Sequence, residues 1–166
     1  ALKVPLRALS SELGVDAISL GGAKNGFLVG EAVIFPGKKK DVSFRFRRKQ
    51  ALQLPSKTRF FGAQFLAYFQ HDLGLEIDGH SLSMAKRLAM ELENIPQTQL
   101  AHPVQSNAVF IRIPKSWVKK IRKHFFFYVW DEKQCVVRLM TTFDTKLEDI
   151  EGLVALFRTL SADEAS

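Results

Sequence analysis

Lys24 stands in the stretch GGAKNG, and Gly21, Gly22, Gly26 and Gly30 around it are four of the chain's ten glycines. Glycine is used where backbone must approach something closely or take a positive φ, so this loop is shaped around an object. A phosphate-binding loop needs G-x-x-x-x-G-K followed by Ser or Thr; here Asn25 follows the lysine and the earlier glycine is missing. What remains is the chemistry of an amine. A lysine that is partly desolvated or near other cations gives up its proton and can form a Schiff base with a carbonyl. With its ammonium in water it is an ordinary loop residue.

Arg138 is the second residue with chemistry to offer. In VVRLMT it lies mid-strand between apolar neighbours, on a face shared with Val136 and Met140. A half-buried guanidinium there needs an anionic partner, while a fully solvated one needs none.

Other chemistries find little support. Cys135 is alone, so no internal disulfide forms, and His71, His80, His102 and His124 lack metal-ligand spacing; no metal site is expected. The net charge of +7 is concentrated: residues 38–49, KKKDVSFRFRRK, hold seven of the chain's 24 Lys and Arg but one of its 17 Asp and Glu. The remainder is nearly balanced. Phe44 and Phe46 interleaved with Arg45 and Arg47 could stack on nucleic-acid bases, but two aromatics without a binding fold argue for such a module only weakly. Lys38, Lys39 and Lys40 read as a solvated turn.

Elements must position these residues. The apolar stretches 15–20 and 27–35, punctuated by glycine, predict two buried strands joined by a tight connection. A helix is expected through the basic stretch. Another spans Ser56 to Gln70, apolar on most faces and therefore buried or packed on a partner subunit. Leu82, Ala85, Leu88, Ala89 and Leu92 predict an amphipathic helix from Asp78 to Asn94, closed by Pro96. Alternation then takes over in NAVFIRI, with Val109, Ile111 and Ile113 on one face, followed by a short helix from Pro114 (Trp117, Val118, Ile121). FFFYVW and CVVRLMTT form a hairpin around DEKQ. Thr145 and Glu148 make a capping box ahead of a helix carrying Ile150, Leu153, Val154, Phe157 and Leu160.

A division is expected near Pro96, giving segments 1–95 and 96–166, the second a small α+β layer. No run approaches the roughly 18 apolar residues of a membrane span, and ALKVPLRALSSELG lacks a signal-peptide pattern, so the chain reads as cytoplasmic and not membrane-bound. That opening also reads as the middle of a longer chain.

Four stretches, GVDAISLGGAKNGFLVGEAVIF, RRKQALQLPSKTRFFGAQFLAY, NAVFIRIP and VVRLMTTFDTKLEDIEGLV, resemble in this order the C-terminal half of low-specificity L-threonine aldolases. These belong to the β-eliminating lyase group of fold-type-I pyridoxal-phosphate enzymes. The resemblance implies an α/β fold: the end of an aspartate-aminotransferase-like cofactor domain in 1–95, with the lysine loop and linking helices, then a small α+β C-terminal domain. It implies that Lys24 carries pyridoxal 5'-phosphate as a Schiff base, with Gly22 and Asn25 of the same motif at the cofactor. Lys49, Lys57 and Arg59 would lie near the cofactor phosphate or a neighbouring subunit's site. Arg138 would hold the substrate α-carboxylate through a bidentate fork.

The implied reaction is cleavage of threonine or allo-threonine to glycine and an aldehyde. Its partners would be the small amino-acid substrate, the N-terminal half of the same enzyme, and like subunits in a homodimer or homotetramer, with no nucleic acid involved. Ala23 and Phe143 depart from the family's usual Thr and Trp. The phosphate loop, the ring-stacking aromatic and the pyridine-pairing Asp belong to the half not represented here, so the chain alone is expected to be inactive. Another β-eliminating or racemising activity on the same cofactor, and a nucleic-acid module at 38–49, are the alternatives.

Overall fold

The computed structural model describes residues 2, 4–37 and 43–165. Its contacts divide the chain into two units, 2–77 and 78–166, with the division inside one long helix. The sequence pattern places the change later, at 95/96, where that helix has ended.

In the first unit, two short 3₁₀ turns (Leu6–Leu9 and Ser11–Leu13) are stitched by Ser10, whose hydroxyl donates to the Leu6 carbonyl at 2.7 Å. Strands β1 (Ile18–Gly21) and β2 (Glu31–Ile34) pair antiparallel, from Ile18 opposite Ile34 to Gly21 opposite Glu31. Helices α1 (Phe44–Gln50) and α2 (Thr58–Phe69) follow.

Two expectations need correction here. β1 and β2 are not buried: they form a two-stranded ribbon in which Val33 and Ile34 are exposed among the described residues. Of the two expectations for α2, burial within the chain is not met: it has no fully buried residue, and Phe60, Leu66 and Phe69 are more than half exposed. Of its apolar faces, one stripe finds partners inside the unit. Lys38, Lys39 and Lys40 lie outside the described residues.

α3 (Leu73–Glu93) leads into the second unit, and from there the pattern is realised closely. β3 (Gln99–Leu100), β4 (Ala108–Arg112), β5 (Tyr128–Asp131) and β6 (Val136–Met140) form an antiparallel sheet in the order β3-β4-β6-β5. Successive strand residues point to opposite faces, and Val109, Ile111, Val137 and Leu139 point into the core. They meet Ala85, Leu88, Ala89 and Leu92 of α3, Trp117 and Ile121 of α4 (Lys115–Ile121), and Ile150, Val154, Phe157 and Leu160 of α5 (Leu147–Ala165). Trp117 and Phe157 pack edge to face with centroids 5.7 Å apart.

Two local details differ from expectation. The strand in FFFYVW begins only at Tyr128, since Phe127 is already in the core and Phe125 packs against it. The cap of α5 sits one residue later than the Thr145–Glu148 box: the Lys146 amide donates to Asp149 Oδ2 at 2.8 Å, while Thr145 Oγ1 accepts from the Thr142 amide. The threonine hydroxyl is thus engaged by the preceding turn.

Among the described residues no helix is long and apolar enough to cross a membrane, and no three His, Cys, Asp or Glu side chains group as metal ligands would.

Candidate active site

Between β1 and β2 the chain closes into a 3₁₀ turn, Ala23–Asn25, with Lys24 at its centre. Four hydrogen bonds fix it: Gly22 N to Gly30 O at 2.9 Å, Asn25 N and Phe27 N to Gly22 O at 2.9 and 3.2 Å, and Asn25 Nδ2 to Gly21 O at 2.9 Å. Gly22 is buried, and a Cβ there would lie 2.4 Å from the Phe27 ring and 2.7 Å from the Gly30 carbonyl. Gly26 closes the turn at φ 85°, a left-handed conformation that glycine adopts without strain. Of the three residues in the motif, Gly22 and Asn25 therefore shape the turn, and Lys24 is exposed on it with no ion pair among the described residues.

Helix α2 braces this turn from one side. Phe27 packs edge to face on Phe65 and Tyr68, with centroids 4.8 and 5.3 Å away, and Gly30, at φ 129°, brings its backbone against Phe61 and Phe65. Gln64 accepts from the Leu28 amide at 2.7 Å and donates to the Val29 carbonyl at 3.1 Å. A hollow of about 170 Å³ opens beside the turn, lined by Asn25, Phe27, Gln64, Tyr68, Leu73 and Ile77. Gln64 is the residue that reading by charge and nucleophilicity passes over. Its signal was its place at the end of the AQ in SKTRFFGAQ, three positions after Phe61 and four before Tyr68.

The other cations of this unit stand apart from the turn's hydrogen bonds. Lys49 is exposed in the last turn of α1, Lys57 is exposed at the N-cap of α2, and Arg59 lies over the ring of Phe60 at 5.0 Å. None of the three forms an ion pair among the described residues. In the basic stretch Arg45 stacks on its own neighbour Phe46 at 4.6 Å.

Arg138 belongs to the second unit, on the face of the sheet opposite the helices. It pairs with Phe110 across β4 and Tyr128 across β5, and its guanidinium carbon is 5.4 Å from the ring centroids of both Tyr128 and Trp130. Trp130 in turn packs on Phe110 at 5.2 Å. Its Nε is buried, with no hydrogen-bond partner among the described residues. The guanidinium forms no ion pair among the described residues.

No family profile matches the chain. Among curated proteins it is similar to the low-specificity L-threonine aldolase of Pseudomonas aeruginosa, 33% identical over 145 residues that make up 87% of this chain and 42% of that protein. It is also similar to the low-specificity L-threonine aldolase of a Pseudomonas strain, at 32% identity over 92% of this chain and 44% of that protein. The threonine aldolase structure from Leishmania major superposes with a TM-score of 0.79 at 27% identity, covering 89% of this chain and 44% of that one. The chain thus spans less than half the length of the curated relatives it matches. Its architecture is that of the fold-type-I enzymes in their C-terminal part, and in sequence and fold it is a counterpart of the C-terminal part of the low-specificity L-threonine aldolases.

Proposed function

We propose that the chain supplies the C-terminal part of a pyridoxal-phosphate-dependent lyase that cleaves threonine or allo-threonine to glycine and an aldehyde. The observation that carries this reading is Lys24, an exposed amine on a turn held rigid by four hydrogen bonds and neutralised by no described carboxylate. Such an amine fits covalent attachment to an aldehyde: it is accessible, and its backbone cannot wander. When bound, pyridoxal phosphate supplies an electron sink for the charge left on Cα as its bond to Cβ breaks.

The protein's own residues do the rest. Lys24 holds the group through its amine. Gly22 and Asn25 keep the turn in shape, Gly22 by leaving space for Phe27 and Asn25 by its side-chain bond to Gly21. Arg138 binds the substrate carboxylate, its planar fork fixing the orientation of the amino acid, and Tyr128 and Trp130 exclude water from one end of the guanidinium. Lys49, Lys57 and Arg59 are exposed and form no ion pair among the described residues, which suits them to phosphate contacts. The open ribbon and the exposed Phe60, Leu66 and Phe69 favour further protein against this unit: the remainder of the enzyme, or like subunits in a dimer or tetramer. A cytoplasmic setting accords with a chain lacking any paired cysteine.

The test is turnover by the whole protein supplied with pyridoxal phosphate. Threonine and allo-threonine should yield glycine and acetaldehyde, and Lys24→Ala should abolish this. Pyruvate from serine without glycine from threonine would instead assign a β-eliminating reaction.

A further inference from the structure

The stripe of α2 that meets the lysine turn consists of Phe61, Gln64, Phe65 and Tyr68, at the i, i+3, i+4 and i+7 spacing of one helix face. Three of these are aromatic and pack on Phe27 and Gly30. A polar residue in the middle of such a stripe needs a reason, and its hydrogen bonds supply one. Leu28 and Val29 lie between the Lys24 turn and the start of β2, beyond the reach of the β1–β2 ladder. The half-buried Gln64 carboxamide takes the place of a missing strand: Oε1 accepts from Leu28 N at 2.7 Å, and Nε2 donates to Val29 O at 3.1 Å. A further bond from Nε2 to Phe60 O at 3.2 Å ties the amide to its own helix and fixes its rotamer. The orientation of the amide is dictated by its partners, since Leu28 N can only donate and Val29 O can only accept.

We infer that Gln64 is a positioning residue for Lys24, clamping the outgoing arm of the turn so that the amine is presented at one place. The inference rests on the reading of Lys24 as the cofactor-bearing lysine. The incoming arm is held by β1, and the outgoing arm is pinned at its ends by the Phe27 N–Gly22 O and Gly22 N–Gly30 O bonds; between those ends, without Gln64, Leu28 and Val29 keep no hydrogen bond among the described residues, and the aromatic contacts on either side tolerate sliding. No other common side chain fills the role. Glutamate keeps the acceptor but loses both donors, methionine keeps the length and loses all three bonds, and asparagine is one methylene short.

The experiment compares the protein with Gln64→Met and Gln64→Glu, using two readouts. The first, without cofactor, is amide hydrogen exchange over residues 22–30. The second is the rate at which limiting pyridoxal phosphate followed by borohydride leaves a reduced adduct on the peptide containing Lys24. Gln64→Met should speed Leu28 exchange about five- to tenfold, the worth of one hydrogen bond, and slow Lys24 adduct formation by at least about fivefold. Gln64→Glu should retain most of the Leu28 protection and fall between the two in adduct rate. Unchanged exchange in Gln64→Met, or faster exchange with an undiminished adduct rate, overturns the positioning role alone. Failure of the unsubstituted protein to form any adduct at Lys24 overturns the reading of the lysine itself.

Discussion

Arg138 on β6 stands directly opposite Tyr128 on β5, with its guanidinium carbon 5.4 Å from the tyrosine ring centroid. A cation over an aromatic face is stabilised without being neutralised, so the pair holds the fork in place and leaves its charge available. Because Nε is buried and has no hydrogen-bond partner among the described residues, Arg138→Met removes a desolvated donor along with its attraction to the ring. The stability of the protein, read by denaturant titration, should stay within about 1 kcal/mol of the original. Threonine cleavage should suffer far more. Loss of a bidentate, charge-assisted contact predicts a fall in kcat/KM of about 10- to 100-fold, with Arg138→Lys intermediate. Equal losses of stability and activity would reduce Arg138 to a packing role.

Gly22 and Gly79 should respond to alanine with opposite signs. At Gly22 the new Cβ would meet the Phe27 ring at 2.4 Å and a backbone carbonyl at 2.7 Å, so either the ring or the turn must move. The cost is about 1–3 kcal/mol. At Gly79, within α3, nothing lies within 4 Å, and alanine should stabilise by about 0.5–1 kcal/mol through helix propensity. Chemical denaturation of both variants checks the pair.

Thr141 ties the end of β6 to α3. Its buried hydroxyl donates to the Ser81 carbonyl at 2.7 Å, while its backbone amide and carbonyl exchange bonds with Asn107. Thr141→Val keeps the shape and loses that donor, so a loss of about 1–2 kcal/mol is expected in urea unfolding. Thr142→Val, where the hydroxyl is exposed and bonds only within its own turn, should cost less.

The second unit was far more legible in the sequence than the first. Val109, Ile111 and Ile113 alternate, Leu88, Ala89 and Leu92 recur at helical spacing, and the core forms from these residues because each pattern meets a partner layer within the same stretch of chain. Residues 18–34 and 58–69 also have apolar patterns, yet Val33 and Ile34 in the first and Phe60, Leu66 and Phe69 in the second remain exposed. Periodicity reports which face seeks burial; it does not say whether the covering surface belongs to the same chain. The tight turn around Lys24 was announced by its glycines, whereas Gln64 was marked only by its place in SKTRFFGAQ: a neutral amide has no charge or nucleophile to betray it, and its partners are backbone atoms some 35 residues away in sequence.

The uncovered surface makes its own prediction. Phe60, Leu66 and Phe69 on α2, together with Val33 and Ile34 on the ribbon, should drive concentration-dependent self-association of the 166-residue chain when it is studied by itself. Sedimentation velocity should show a shift toward smaller species for Phe69→Glu. A chain that is monodisperse and monomeric at high concentration would contradict it.

Peptide mapping after borohydride reduction tests most directly whether Lys24 is the covalent handle for pyridoxal phosphate. The whole protein, supplied with one equivalent of cofactor, reduced and digested, should carry the added mass on the peptide that contains Lys24, and Lys24→Arg should lose that label. An adduct spread over other lysines, and no weaker in Lys24→Arg, would contradict the account.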